Sequence, residues 1–164
     1  MAKELGEGQR DDRPVPFLSF VLYVQHNCSR VNRVNVMAPR ILVVDDEPEL
    51  ADTLTIIFQR AGYAATAVYS AEEALTFFAA SPPALAVMDV VMPGMDGIAL
   101  AKQIRKCYPG CKVLLFSGNA ETQPLLQAAR LEGHAFEVLA KPVPPPQMLA
   151  KVAKLLDQRY CSHS

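Results

Sequence analysis

The chain has 164 residues, 51% of them apolar and 20% charged, with a formal net charge of -1. That suits one compact domain with a remainder and a core of ordinary size, and it excludes a chain disordered throughout. The balanced charge gives no electrostatic case for nucleic-acid binding, which needs a clustered basic face, and no run approaches the roughly 18 apolar residues of a membrane span.

Residues 1–36 differ from the rest. "MAKELGEGQRDDRP" is polar and mixed in charge, and "VPFLSFVLYVQHN" is a short apolar run of strand length. Acidic residues precede that run and no small-residue cleavage pattern follows it, which argues against a signal peptide. Met37 stands just ahead of the first convincing strand. Residues 1–36 are therefore read as a disordered or mis-annotated N-terminal extension, with an added edge strand or docking segment as the alternative, and residues 38–160 as the domain.

From residue 40 the chain alternates. "RILVV" (40–44) is a fully apolar strand, and residues 47–61 follow as a helix with Leu50, Leu54, Ile57 and Phe58 on one face and Gly62 as its stop. "AATAV" (64–68) is the second strand. Ser70 and Glu73 form a capping box for a helix through Ala80. "ALAVM" (84–88) is the third strand, and residues 96–106 are a helix with Ile98, Ala101 and Ile104 at helical spacing. "KVLLF" (112–116) is the fourth strand, followed by a helix over 120–132 stopped by Gly133. "FEVLA" (136–140) is the fifth, and the last helix, about 146–159, buries Met148, Leu149, Val152, Leu155 and Leu156. Apolar strands without alternation mean a sheet covered on both faces. Strands alternating with helices in this way give an α/β fold, a doubly wound five-stranded parallel sheet with right-handed crossovers.

In such a sheet, ligands bind beyond the carboxyl ends of the strands. Strand one ends in Asp45-Asp46-Glu47, strand three in Asp89, strand four in Ser117-Gly118-Asn119 and strand five in Lys141-Pro142. Carboxylates, a hydroxyl and an ammonium thus converge on one rim. Clustered carboxylates call for a hard divalent cation, and Mg²⁺ pairs with one or two carboxylates plus phosphate oxygens. A carboxylate can also attack phosphorus and form an acyl phosphate, a step that needs little beyond positioning and neutralised oxygens. Mg²⁺ would take one phosphoryl oxygen, Lys141 a second, and the Ser117 hydroxyl with nearby backbone N–H groups the third.

"ILVVDDEPEL", "VMDVVMPGMDG", "LLFSG" and "LAKPV" together resemble, in order and spacing, the four signatures of the response-regulator receiver domain of two-component signalling, over about residues 40–158. The resemblance implies a flavodoxin-like sheet of order 2-1-3-4-5 and a stand-alone, cytoplasmic receiver. It implies that Asp89 accepts a phosphoryl group from a histidine kinase or histidine phosphotransfer protein, and that the phosphorylated form changes its affinity for a downstream protein. Mg²⁺ would be held by Asp89, by Asp46 directly, by Asp45 through water and by the backbone carbonyl of Val91. Ser117 takes the place of the family's switch hydroxyl and Lys141 that of its phosphate-pairing lysine, with a cis bond expected before Pro142. Such a module is a signalling protein rather than an enzyme, with neither nucleic acid nor membrane as partner.

Two departures stand out. The family's switch aromatic is replaced by Val138, with Phe136 two residues earlier on the same strand face. "PVPPPQ" follows Lys141, and Pro144–Pro146 stiffen the approach to the last helix. One rival reading is a receiver-like binding module indifferent to phosphorylation. Another is a phosphohydrolase of the haloacid-dehalogenase type, but Val91 occupies the place of that family's general acid. Asp96, before Gly97, reads as a helix N-cap; His26, His134 and His163 read as solvated, and Tyr63 and Tyr69 as packed or at the rim. Cys28, Cys107, Cys111 and Cys161 lack zinc-ligand spacing and read as reduced thiols.

Overall fold

The computed structural model describes residues 37–118 and 122–157. The expectations for residues 1–36, for Asn119 and the first residues of the helix over 120–132, for the last residues of the final helix, and for Cys28, Cys161, His26 and His163 lie outside that range. Within it, five strands and five helices alternate: β1 (Arg40–Val44), α1 (Pro48–Arg60), β2 (Ala64–Val68), α2 (Ala71–Ala80), β3 (Leu85–Asp89), α3 (Gly97–Cys107), β4 (Lys112–Ser117), α4 (Thr122–Leu131), β5 (Glu137–Ala140) and α5 (Pro145–Asp157). All strand pairs are parallel, and the sheet order is β2-β1-β3-β4-β5, as expected.

The pleat sorts the core into two layers, because successive side chains of a strand point to opposite faces. Leu42, Val44, Ala86, Met88, Val113 and Leu115 share one layer with α2, α3 and α4, through residues such as Phe78, Ile104 and Leu126. Ile41, Val43, Leu85, Val87, Leu114 and Phe116 share the other with α1 and α5, through Phe58, Met148 and Val152. The edge strands β2 and β5 each leave residues exposed, unlike the three central strands.

Chain punctuation follows the sequence closely. Gly62 and Gly133 adopt φ of +92° and +86°. Each ends its helix in a paired cap: Gly62 N–H donates to Gln59 O and Tyr63 N–H to Phe58 O, while Gly133 N–H donates to Arg130 O and His134 N–H to Ala129 O. Asp96 caps α3 by accepting Ala99 N–H at 2.7 Å. Ser70 accepts Glu73 N–H at 3.1 Å, but the Glu73 carboxylate returns to Tyr69 N–H at 2.9 Å, so the box closes one residue earlier than its usual form.

Three expectations shift. β3 runs on through Asp89, so the acid belongs to the strand instead of following it. The buried face of α1 is Ala51, Leu54, Thr55 and Phe58, with Leu50 partly covered and Ile57 turned aside. The run Leu54 to Phe58 is apolar nearly all round the helix, so its period did not fix the stripe. Thr55 Oγ1 is buried there without a hydrogen-bond partner among the described residues. His134 is not free in solvent: its ring stacks on Phe136, with centroids 6.0 Å apart and planes 10° apart.

Candidate functional site

The sheet order reverses at β1, so the crevice where ligands bind in such folds opens between β1 and β3. Val44 pairs with Met88 in that ladder, which sets Asp45 beside Asp89 at its end. Asp89 in turn faces Phe116 of β4, and Val90 N–H donates to Phe116 O at 3.0 Å, fixing the acid's backbone. Gly97 closes the return path. Its N–H donates to Val90 O at 2.9 Å, and a Cβ at this position would lie 1.8 Å from the Asp89 carbonyl oxygen. Only glycine lets α3 start so near the acid.

Asp45, Asp46 and Asp89 each offer a carboxylate oxygen, all within 4.8 Å of one another. Lys141 Nζ lies 3.0 Å from Asp89 Oδ1 and 3.3 Å from Asp45 Oδ2. The lysine is carried there by β5, its own N–H donating to Ser117 O at 2.7 Å, and the bond to Pro142 is cis as expected. Asp45 is buried and uses its other oxygen to accept Glu47 N–H at 3.0 Å, whereas Asp46 is exposed. Val91 lies on the loop after β3, 54% exposed.

The charges act on one another. Burial pushes the Asp89 carboxyl above the usual carboxylate range; Lys141 pulls it down without cancelling that, and Asp45 adds to the rise. Burial pulls the Lys141 ammonium down, but its bonds to Asp89 and Asp45 and their charges outweigh it, and the net shift is upward. Asp89 is therefore a basic carboxylate beside a firmly protonated lysine. The three-acid set fits a hard cation, since opposite ligands of octahedral Mg²⁺ stand about 4 Å apart and the carboxylates already converge near that span.

Ser117 differs from Asp89 in strand parity. It has the strand parity of Val113 and Leu115, which face α2–α4, while Asp89 has that of Leu85 and Val87, which face α1 and α5. Its buried hydroxyl pairs with Thr122 Oγ1 at the first turn of α4. Sequence reasoning missed Thr122, and no local pattern marks it. It also missed the role of Gly97, although "MDG" at a helix start was a signal for close backbone approach. Val138 is half-buried in the α2–α4 layer, and Phe136 is buried in the same layer with the Arg105 guanidinium 4.7 Å above its ring.

The family model of the response regulator receiver domain matches residues 41–153, and the chain belongs to that family. It is a receiver domain of two-component signalling. Among curated proteins, it is 31% identical over 118 residues to the transcriptional regulatory protein BaeR of Escherichia coli O6:H1, covering 72% of this chain and 48% of that one. It is 31% identical over 119 residues to the DNA-binding response regulator MtrA of Mycolicibacterium smegmatis, covering 73% and 51%. The chain thus spans about half the length of these curated relatives. Among solved structures, the CheY-like receiver domain protein of Methanospirillum hungatei JF-1 is 29% identical with a TM-score of 0.68, covering 75% of this chain and 97% of that one. The response regulator TrrA of Thermotoga maritima, in complex with Mg(2+)-BeF, is 33% identical with a TM-score of 0.63, covering 72% and 99%. Among the described residues, no helix is long and apolar enough to cross a membrane.

Proposed function

We propose that Asp89 accepts a phosphoryl group from the phosphoimidazole of a histidine kinase or histidine phosphotransfer protein, and that the phosphorylated domain changes its affinity for a downstream protein. The observation that carries this reading is the Asp89 carboxylate held at the end of β3 with Lys141 Nζ 3.0 Å away and two further acids beside it. A carboxylate oxygen of Asp89 attacks phosphorus as the P–N bond breaks. The bonding pair goes to the imidazole nitrogen and, with the other ring nitrogen protonated, the imidazole departs neutral. Lys141 holds its proton throughout and balances the charge on a phosphoryl oxygen. Mg²⁺ held by Asp46, Asp89 and the Val91 carbonyl, with Asp45 acting through water, would neutralise a second oxygen. That division of labour is supported by Asp45, whose oxygens already serve Glu47 N–H and Lys141, while Asp46 is open to solvent. Reversal by water at phosphorus returns the free acid, so the domain's own chemistry sets the lifetime of the signal. The hydrolase alternative wants an acid where Val91 stands, and a valine side chain carries no proton to give.

Incubation with acetyl phosphate and Mg²⁺ tests the reading. Intact-mass spectrometry should show one added phosphoryl group, absent from Asp89→Asn. Full labelling of that variant would falsify the assignment of Asp89.

A further inference from the structure

We infer that Thr122 is a positioning residue for the Ser117 hydroxyl: it holds that hydroxyl on the α4 side of the sheet in the unphosphorylated domain, and so opposes the phosphorylated state. The inference rests on the reading of Asp89 as phosphoacceptor. Ser117 and Asp89 occupy neighbouring strands but opposite strand parities, Ser117 with the α2–α4 layer and Asp89 with the α1 and α5 layer. The Ser117 and Thr122 hydroxyls are hydrogen-bonded to one another, and both residues are buried, Thr122 at 0% exposure. Either hydroxyl can donate in that pair, so what sets the two contacts against each other is where the Ser117 oxygen stands and not the count of its hydrogens. To donate its hydrogen to a phosphoryl oxygen on Asp89, Ser117 must turn its oxygen from one side of the sheet toward the other, and the contact with Thr122 breaks. The bond and the phosphoryl contact are therefore alternatives.

An interaction found in only one of two states shifts the equilibrium by its own strength. Removing the Thr122 hydroxyl strands that of Ser117 in the resting domain and leaves the phosphorylated domain's Ser117 contact intact. Thr122 opens α4, so the same bond ties the start of that helix to the end of β4. Val138 lacks a ring to carry the motion onward.

The test is the dissociation constant for beryllofluoride with Mg²⁺, read by NMR from the Gly118 amide on the full chain. Thr122→Val, which keeps shape and removes the hydroxyl, should bind roughly fivefold tighter, the equivalent of about 1 kcal/mol. Thr122→Ser, which restores the hydroxyl, should return to the original affinity. In a Ser117→Ala background, Thr122→Val should have no effect. Unchanged or weaker binding by Thr122→Val, with the unsubstituted protein binding normally, overturns the inference and leaves the role of Asp89 standing. A gain that persists without the Ser117 hydroxyl overturns it as well, since the effect would then be one of packing. If the unsubstituted protein takes up no beryllofluoride, the reading of Asp89 falls and this inference with it. Should Thr122→Val fail to fold, Thr122→Ala carries the same expectation.

Discussion

Two glycines separate what the backbone needs from what it tolerates. At Gly97 a methyl group would stand 1.8 Å from the Asp89 carbonyl oxygen, while at Gly110 it would meet nothing within 4 Å, and neither position has positive φ. Gly97→Ala should therefore cost about 3 kcal/mol or more, since backbone on both sides must give way. Gly110→Ala should gain about 0.4–1 kcal/mol by restricting the unfolded chain. Urea titration of both variants checks the opposite signs. Asp89 itself is a cost to the metal-free fold. Its carboxyl is raised by burial, and Asp45 adds to that while Lys141 only partly offsets it, so the folded state binds the proton more tightly than the unfolded state. Ionisation thus destabilises the fold above the folded-state pKa, and the loss is recovered as pH falls through it. Asp89→Asn should melt higher than the unsubstituted protein at neutral pH without metal, with the gap closing on acidification. A gap that widened toward low pH would reverse the sign of this argument. The acids and Lys141 were legible because each ends an apolar strand. Thr122 was not, because its partner is set by which face of β4 Ser117 occupies, and that follows from tertiary packing.

At the scale of elements, the hydroxyl pair joins the end of β4 to the first described turn of α4, while the start of β5 is clamped. Phe136 is 8% exposed, with Arg105 over its ring and His134 stacked on it. Arg105 also donates to Ala135 O at 2.7 Å. An aromatic already held from two sides has little to gain by turning when Asp89 is modified. Beryllofluoride should shift the resonances of Gly118 and Thr122 by NMR and leave those of Phe136 and Val138 nearly in place; large shifts confined to Phe136 would make it the switch after all. Phe136→Ala should instead act on stability, costing about 3–5 kcal/mol as a buried aromatic truncation. Where both the expected and observed bounds fall on described residues, helix bounds in the sequence lie within a residue or two of those observed, because Gly62, Ser70, Asp96 and Gly133 end or begin their helices by local chemistry. The face of α1 was less legible, since Ile56 and Ile57 continue its apolar run where the helix turns toward solvent.

On the scale of the whole molecule, the sheet order makes the site. β1 and β3 are neighbours only because β2 lies on the far side of β1, and that reversal brings the acids of separate segments to one rim. The fold class was legible from the alternation of strands and helices, whereas the order of strands came from the resemblance. Three acids against one lysine leave the rim negative toward an anionic donor. Acetyl-phosphate labelling should accordingly fall to background in excess chelator; undiminished labelling would show that Lys141 alone suffices. The family match begins at residue 41 and every described strand lies at residue 40 or beyond. A protein starting at Met37 should then keep its melting temperature and its labelling rate, and a large loss in either would give "FLSFVLYV" a structural role.

The solitary hydroxyl of Thr55 has a consequence for evolvability. Its oxygen is shut away from water in α1 with no partner among the described residues, and a buried polar group in that position weighs against the native state. Valine has the same outline. Thr55→Val should raise stability by about 1 kcal/mol and the melting temperature by roughly 4 °C, measured by calorimetry, with beryllofluoride affinity unchanged. Such a variant would be a more permissive ancestor for substitutions at Gly118, Thr122 and the rim, because changes that the present chain tolerates poorly would start from a deeper well. A melting temperature at or below that of the unsubstituted protein would mean that the hydroxyl is satisfied in solution.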